Sequence, residues 1–264
     1  MKLGFIGAGN MASAIMNGVI GNGIFKAEEI IASDISEAGR KKAKETLGVA
    51  VTADNREVVT WAEIVVLAVK PQFYADVIAE IKDTVKEDQI IITIAPGKTL
   101  EWLEEKFDKT VKLVRTMPNT PAMVLEGMTA VCRNSNVTDE ELDYVCSILN
   151  AFGKSEVIPE KLMDIFTATC GSSPAYVFMF IEAMADAAVA GGIPRAQAYK
   201  MASQAVYGSA KMVMELDKHP GELKDMVCSP GGTTIAAVRV LEEKGMRAAV
   251  MDAVIKCTER SKEL

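Results

Sequence analysis

Apolar residues in the first half of the chain fall in short, dense runs. Lys2–Gly7, Glu29–Ser33, Glu63–Val69, Gln89–Ile94 and Val111–Arg115 are of strand length, rich in Val and Ile, with little polar alternation. Strands of that kind are covered on both faces. Between them, apolar positions recur at helical spacing over about 11–21, 36–46, 54–61, 72–83 and 99–106, and Val49–Thr52 adds one more short strand. Strands alternating with helices predict a doubly wound parallel sheet.

The pattern changes after the strand-like piece Ser155–Ile158 and Pro159. From there helical spacing runs over about 161–169, 174–190, 195–216, 233–243 and 246–262, with Gly191-Gly192-Ile193-Pro194 as a stop and restart. The expected organisation is an α/β domain over 1–158 followed by an all-helical domain over 159–264. The stretch 175–190 is apolar nearly all the way round, with Phe178, Met179, Phe180, Ile181 and Met184. A helix without a polar face must be enclosed, and a domain of about 100 residues can hardly enclose it alone. Dimerisation through this half is the expectation. Glu182 and Asp186 interrupt the stretch, which is also short for a bilayer span, so no membrane is expected.

The first strand runs into Gly7-Ala8-Gly9-Asn10-Met11-Ala12, a G-x-G-x-x-A placed between a strand and a helix. Gly7 permits the tight turn, Gly9 lets a pyrophosphate approach the backbone, and Ala12 lets the helix pack close to the strand. This makes the sheet a Rossmann-type dinucleotide site, with Ile6, Gly7, Ala8, Gly9, Asn10 and Met11 as cofactor-binding candidates. A P-loop is the competitor, since Gly97-Lys98-Thr99 is present. Its first glycine would fall at Ile92, and the match fails.

The second strand ends at Ser33-Asp34. An acid here accepts from a ribose 2′-OH and favours NAD, whereas Ser36, Arg40, Lys41 and Lys42 either meet a 2′-phosphate or form a solvated helix face. The cofactor is thus NADP or NAD. The ribose is expected between the 33–36 turn and Asn55, whose alternative role is to cap the next helix. Later strand ends point to the same crevice: Ala68, Val69, Lys70 and Pro71; Ala95 and Gly97; and Asn119 in RTMPNTPA. Lys70 reads as part of a loop whose backbone lines a nicotinamide. Asn119 either bonds the cofactor or caps the following turn.

Composition narrows the chemistry. The chain has 264 residues and a net charge of −7, so nucleic acid is not expected as a partner, and an anionic ligand needs local donors. Five cysteines without a C-x-x-C fit reduced thiols in a cytoplasm, with neither disulfides nor a metal site. No signal peptide is read at the start. His219 is the single histidine and sits in a Pro-Gly turn, so a Ser-His-Asp triad is not expected. Cys170 and Cys228 read as small buried residues.

Ser229-Pro230-Gly231-Gly232 cannot continue a helix, and Thr233-Thr234 then opens one with Ile235, Val238 and Leu241 at helical spacing. A glycine turn that opens a helix presents unpaired N–H groups at the positive end of the dipole, fit for an anion or simply an ordinary N-cap.

Taken in order, GFIGAGNMASAI, AVKPQ, RTMPNTPA, GSSPAYVF and HPGELKDMVCSPGGTTIAAVRVLE resemble the pyrroline-5-carboxylate reductase family, from residue 2 to about 262. The resemblance implies NAD(P)H-dependent reduction of 1-pyrroline-5-carboxylate to L-proline, and a helical domain that interlocks into homodimers, often built into decamers. The family usually prefers NADPH, a preference Asp34 runs against. The resemblance also implies that backbone N–H groups around Gly231, Gly232 and Thr233, with Ser229, hold the substrate carboxylate. Thr234 would place its hydroxyl at the ring nitrogen. Asp217 matches a carboxylate position of some members and is not taken as catalytic. The rival readings are a reductase of the same architecture acting on another imine or a keto acid, and a non-catalytic dinucleotide-binding regulator.

Overall fold

The computed structural model describes residues Met1–Glu263. The chain divides into two compact units: Met1–Gly171 together with the C-terminal segment from Cys257, and Ser172–Lys256.

The first unit is built on one eight-stranded sheet. Its strands are β1 (Leu3–Ile6), β2 (Ile30–Ser33), β3 (Ala50–Thr52), β4 (Ile64–Leu67), β5 (Ile90–Thr93), β6 (Lys112–Met117), β7 (Gly127–Arg133) and β8 (Gly153–Val157). The spatial order is β3-β2-β1-β4-β5-β6-β7-β8. Strand order reverses between β1 and β4, which leaves a crevice at the carboxyl ends of these two strands. The pairs from β3 through β6 are parallel, with Leu3 opposite both Ile30 and Ile64. The sheet is not parallel throughout: β7 runs antiparallel to β6, with Val114 opposite Arg133.

Helices α1 (Asn10–Gly21), α2 (Glu37–Leu47), α3 (Asn55–Trp61), α4 (Tyr74–Ile81), α5 (Leu100–Phe107) and α6 (Asp139–Leu149) cover the sheet. One core joins Leu3, Phe5, Ile15, Met16, Ile92, Val145 and Phe152. The other, on the opposite face, joins Ile6, Val65, Leu67, Tyr74, Ile78, Leu103 and Phe107. Strand residues alternate between the two, so both faces are apolar, and each fully buried Ile or Leu contributes about 1.5–3 kcal/mol. The predicted strands and helices of this half appear near their expected positions. Two elements are additional to those the pattern predicts: β7 and α6. Helix α6 starts at a capping box, in which Thr138 Oγ1 accepts from Glu141 N (3.2 Å) and Glu141 Oε2 accepts from Thr138 N (3.0 Å).

The expected boundary at 158/159 coincides with the end of the sheet, yet the first unit extends to Gly171. The reason is local. Arg115, almost wholly buried on β6, donates through Nη1 to Glu160 Oε1 (2.7 Å), and the same oxygen accepts from Leu100 N (2.8 Å). These bonds and buried Met163 hold 160–171 against the sheet. That segment is a short helix α7 (Met163–Phe166) followed by a π-helical turn at Thr167–Gly171.

The second unit contains α8 (Ser173–Ala190), α9 (Arg195–Glu215), α10 (Pro220–Val227), α11 (Thr233–Glu243) and most of α12 (Met246–Ser261). Helices α8 and α9 pack through the small residues Ala185, Ala198 and Ala202. Little else is enclosed. Phe178 and Met179 on α8 are 62% and 68% exposed, and Met201, Tyr207 and Met214 on α9 are exposed too. Helix α8 is therefore not enclosed within one chain. The helical run Glu160–Ala190 has the length and apolarity of a membrane span. Helix α10 occupies the stretch read from sequence as a turn around His219. His219 is its N-cap, with Nδ1 accepting from Gly221 N at 3.0 Å.

Candidate active site

The crevice in the first unit is assembled from backbone. Gly7 N donates to Ser33 O at 2.8 Å, and Ala68 N donates to Ile6 O at 2.8 Å. Gly7 has φ +101°, and a Cβ there would meet Ala68 O at 2.7 Å. The turn after β1 and the loop after β4 thus lie in direct contact, which no side chain would permit. Gly9 is the N-cap of α1, and a Cβ on it would meet nothing within 4 Å. Among the described residues no side chain caps α1. Its first N–H groups therefore face the open space beside Gly9, and the dipole favours an anion there. This cradle fits a dinucleotide pyrophosphate. Ala12, 1% exposed, sits under the turn as expected.

Asp34 is held by this same loop. Its Oδ2 accepts from Ala8 N (2.9 Å) and its Oδ1 from Ser36 N (2.8 Å). Arg40 folds over the strand end, with Nη1 donating to the carbonyls of Asp34 (2.6 Å) and Ile35 (3.2 Å). Ser33, fully buried, donates through Oγ to Asn55 Oδ1 at 2.7 Å, and Asn55 Nδ2 donates to Glu80 Oε2 at 2.7 Å. Asn55 does not cap α3. Asp54 does, its Oδ1 accepting from Arg56 N at 2.9 Å. Asp54, at the non-helical N-cap position, aims its carboxylate at the N-terminal amides, while Asn55, the first helical residue, points back to β2.

The structure brings Ile6, Gly7, Ala8, Ser33, Asp34, Asn55, Ala68 and Val69 into one crevice. Lys70 is exposed, and Pro71 opens a short 3-10 turn, Pro71–Phe73. Ala95 and Gly97 follow β5, Ala95 buried and Gly97 at φ +74°. Asn119 stands apart from the glycine loop's bonds. Although it holds the N-cap position of a 3-10 turn, it makes no cap bond; Nδ2 donates to Cys170 O (3.0 Å) and Oδ1 accepts from Met128 N (2.9 Å). The carbonyl and N–H it meets come from elements that the sequence reading had not placed. Sequence reasoning also missed Tyr74, a fully buried phenol at the start of α4. A Tyr seven residues beyond the end of β4, at the first position of a helix, carries no motif.

The glycine turn lies in the second unit. Gly231 has φ +66°, and Gly232 is the N-cap of α11. Gly232 N donates to Ser229 O at 3.0 Å, and a Cβ on Gly232 would meet Ser229 Oγ at 2.3 Å. Ser229 thus packs over a residue that must lack a side chain. Among the described residues no side chain caps α11. The amides of Thr233 and Thr234 are available at its positive end. Thr233 is exposed and Thr234 half-buried. Cys170 and Cys228 are half-buried rather than enclosed, and burial raises the Cys170 thiol. Among the described residues no cluster of ligands for a metal occurs.

Residues 160–264 match the family described as pyrroline-5-carboxylate reductase dimerisation, and residues 2–97 match NADP oxidoreductase coenzyme F420-dependent. The chain is 51% identical over 263 residues to the pyrroline-5-carboxylate reductase of Escherichia coli, covering 100% of this chain and 98% of that protein. It belongs to the pyrroline-5-carboxylate reductase family. Solved structures agree. A pyrroline-5-carboxylate reductase from Coxiella burnetii superposes with a TM-score of 0.93 at 35% identity, over 99% of this chain and 97% of that one. The Plasmodium falciparum enzyme, solved with NADP bound, gives 0.90 at 36% identity, over 100% and 97%. The exposed apolar residues of α8 and α9 lie within the region that matches the dimerisation family.

Proposed function

We propose that this chain reduces 1-pyrroline-5-carboxylate to L-proline with a reduced nicotinamide dinucleotide, the last step of proline biosynthesis, in the cytoplasm. The observation that carries this reading is the full-length likeness to reductases of that name, among them one at 51% identity. The uncapped starts of α1 and α11 supply two anion sites, as a pyrophosphate and a substrate carboxylate require.

In this reading Gly7, Ala8, Gly9, Asn10 and Met11 hold the pyrophosphate, and Ser33, Asp34 and Asn55 border the adenosine ribose. Backbone at Ala68, Val69, Lys70, Pro71, Ala95 and Gly97 lines the nicotinamide, while Asn119 ties down the neighbouring wall. NADPH is the preferred cofactor and NADH is accepted. Asp34 turns both carboxylate oxygens toward backbone N–H groups, and Arg40 and Ser36 stand beside it. That arrangement leaves donors of Arg40 for a 2′-phosphate.

When bound, the reduced nicotinamide supplies the hydride. Backbone N–H groups at Gly231 and Thr233, with Ser229, fix the substrate carboxylate, while Gly232, expected as a third donor, spends its N–H on Ser229 O and shapes the turn instead. The Thr234 hydroxyl accepts from the protonated ring nitrogen and fixes the ring relative to its carboxylate. The protonated imine is already electrophilic, so Thr234 and the turn contribute positioning, not proton transfer. This accounts for a site that needs no histidine. The working assembly is a homodimer through residues 160–264, with dimers building a decamer as the family resemblance implies. Expression in a proline auxotroph that lacks its reductase tests the reading: growth without proline is expected, and no growth despite folded protein contradicts it.

A further inference from the structure

We infer that Tyr74 is a positioning residue for the nicotinamide half of the cofactor site. The inference rests on the proposed reading of the crevice and concerns a residue that does not itself line it. Tyr74 is 0% exposed. Its hydroxyl donates to Leu67 O at 2.6 Å and accepts from Ile94 N at 3.3 Å. Burial pushes its pKa well above the ordinary tyrosine value, only partly offset by the N–H groups of Ile94 and Ala95, so the phenol stays a neutral donor.

The two partners are not ordinary ladder positions. Leu67 is the last residue of β4, and Ile94 is the first residue beyond β5. They mark where two neighbouring strands leave the sheet at its carboxyl edge. The residue after Leu67 is Ala68, whose carbonyl abuts Gly7. One hydroxyl therefore links a continuous path: the glycine turn, the loop after β4, and the loop after β5. Those last two loops carry Ala68, Val69, Lys70, Pro71, Ala95 and Gly97. Strand ends fray where ladder bonds stop, and Gly97 at positive φ adds freedom to its loop. The tie from below removes that freedom where the donor carbon must be placed to within a fraction of an ångström.

A phenylalanine would fill the same space. If Tyr74 were only a core residue, its oxygen would matter to stability alone. The experiment compares Tyr74→Phe with Ile78→Val, which trims a fully buried residue one turn further along the same helix and removes no hydrogen-bonding group. Binding of NADPH and of 2′-phospho-ADP-ribose, which lacks the nicotinamide, is measured by calorimetry on the intact protein. Tyr74→Phe is expected to weaken NADPH roughly tenfold and raise its KM in step, with the fragment changed less than about twofold. Ile78→Val is expected to lower Tm and leave both ligands alone. Equal weakening of both ligands by Tyr74→Phe, or of neither, overturns the inference. Should Tyr74→Phe fail to fold, amide exchange in the ligand-free parent decides. Slow exchange at Ile94 is expected, and exchange at the rate of an open loop overturns the tie. Failure of the parent to bind NADPH at all would instead overturn the reading of the crevice.

Discussion

The backbone N–H of Ala8 donates to the carboxylate of Asp34 at 2.9 Å. That bond joins the middle of the glycine turn to the end of β2, across the position where a ribose would lie. A residue read from sequence as a ribose acceptor is therefore also a brace for the loop that meets the pyrophosphate.

Replacing Asp34 by Ser tests both roles. Loss of the brace costs about 1.5–3 kcal/mol of loop fixation, the worth of a hydrogen bond to a charged group. KM for both cofactors should rise, while the ratio of kcat/KM for NADPH over NADH should increase as negative charge leaves the 2′ position. Steady-state kinetics with the two cofactors reads this out. An unchanged ratio with unchanged KM values would show that Asp34 does neither.

Gly7→Ala should abolish dinucleotide binding. The added methyl would sit 2.7 Å from Ala68 O at a φ of +101°, and neither backbone can yield without opening the crevice. Titration of NADPH against the folded variant is the check, and near-normal affinity would show that the turn relaxes.

Thr234→Ala should slow turnover ten- to a hundred-fold in kcat/KM, the value of one hydrogen bond to a charged group. Thr234 is half-buried in the first turn of α11, and among the described residues no hydrogen bond is recorded for its hydroxyl. Its loss should therefore shift stability by no more than about 0.5 kcal/mol. A lower melting point with normal kcat/KM would reassign Thr234 to the helix alone.

The apolar face of α8 predicts an assembly that one charge can break. Phe178→Asp places a carboxylate at a position 62% exposed in the single chain and expected to be covered in the dimer. Sedimentation should show the parent as a dimer or larger and the variant shifted toward monomer. An unshifted variant would place the interface elsewhere.

Much of the first unit is legible in sequence because each apolar run is bounded by Gly, Pro or Asp. The glycine turn is legible for the same reason. β7 was not, because its antiparallel partner β6 runs straight into RTMPNTPA, whose prolines read as loop. The Thr138/Glu141 capping box was the available signal for α6. Helix α10 hid behind a His-Pro-Gly that proved to be its N-terminus, with Pro220 at the first helical position. The roles of Asn55, Asn119 and Tyr74 depend on partners 20 or more residues away in most of their bonds, such as Asn119 with Cys170, and no local pattern encodes those.

Cys132 offers a test of burial. Desolvation, with Glu160 adding to it and Arg115 opposing, pushes its thiol up to about 12. The folded protein thus holds this proton more tightly than the unfolded chain, whose thiol titrates near its ordinary value. The associated stability is present below about pH 9 and is lost as pH rises toward 12. Alkylation should spare Cys132 in the folded enzyme at pH 8, as mass spectrometry would show, and rapid modification there would contradict its burial.

The central claim is the reaction itself, and the most direct measurement follows the absorbance of the reduced nicotinamide in the presence of pyrroline-5-carboxylate, of a 2-keto acid, and of neither. The account predicts oxidation with pyrroline-5-carboxylate alone, faster with NADPH than with NADH, and one L-proline formed for each cofactor consumed. Equal oxidation with the keto acid would point to another reductase of the same architecture, and no oxidation with any of the three, by folded dimer that binds NADPH, would contradict the claim.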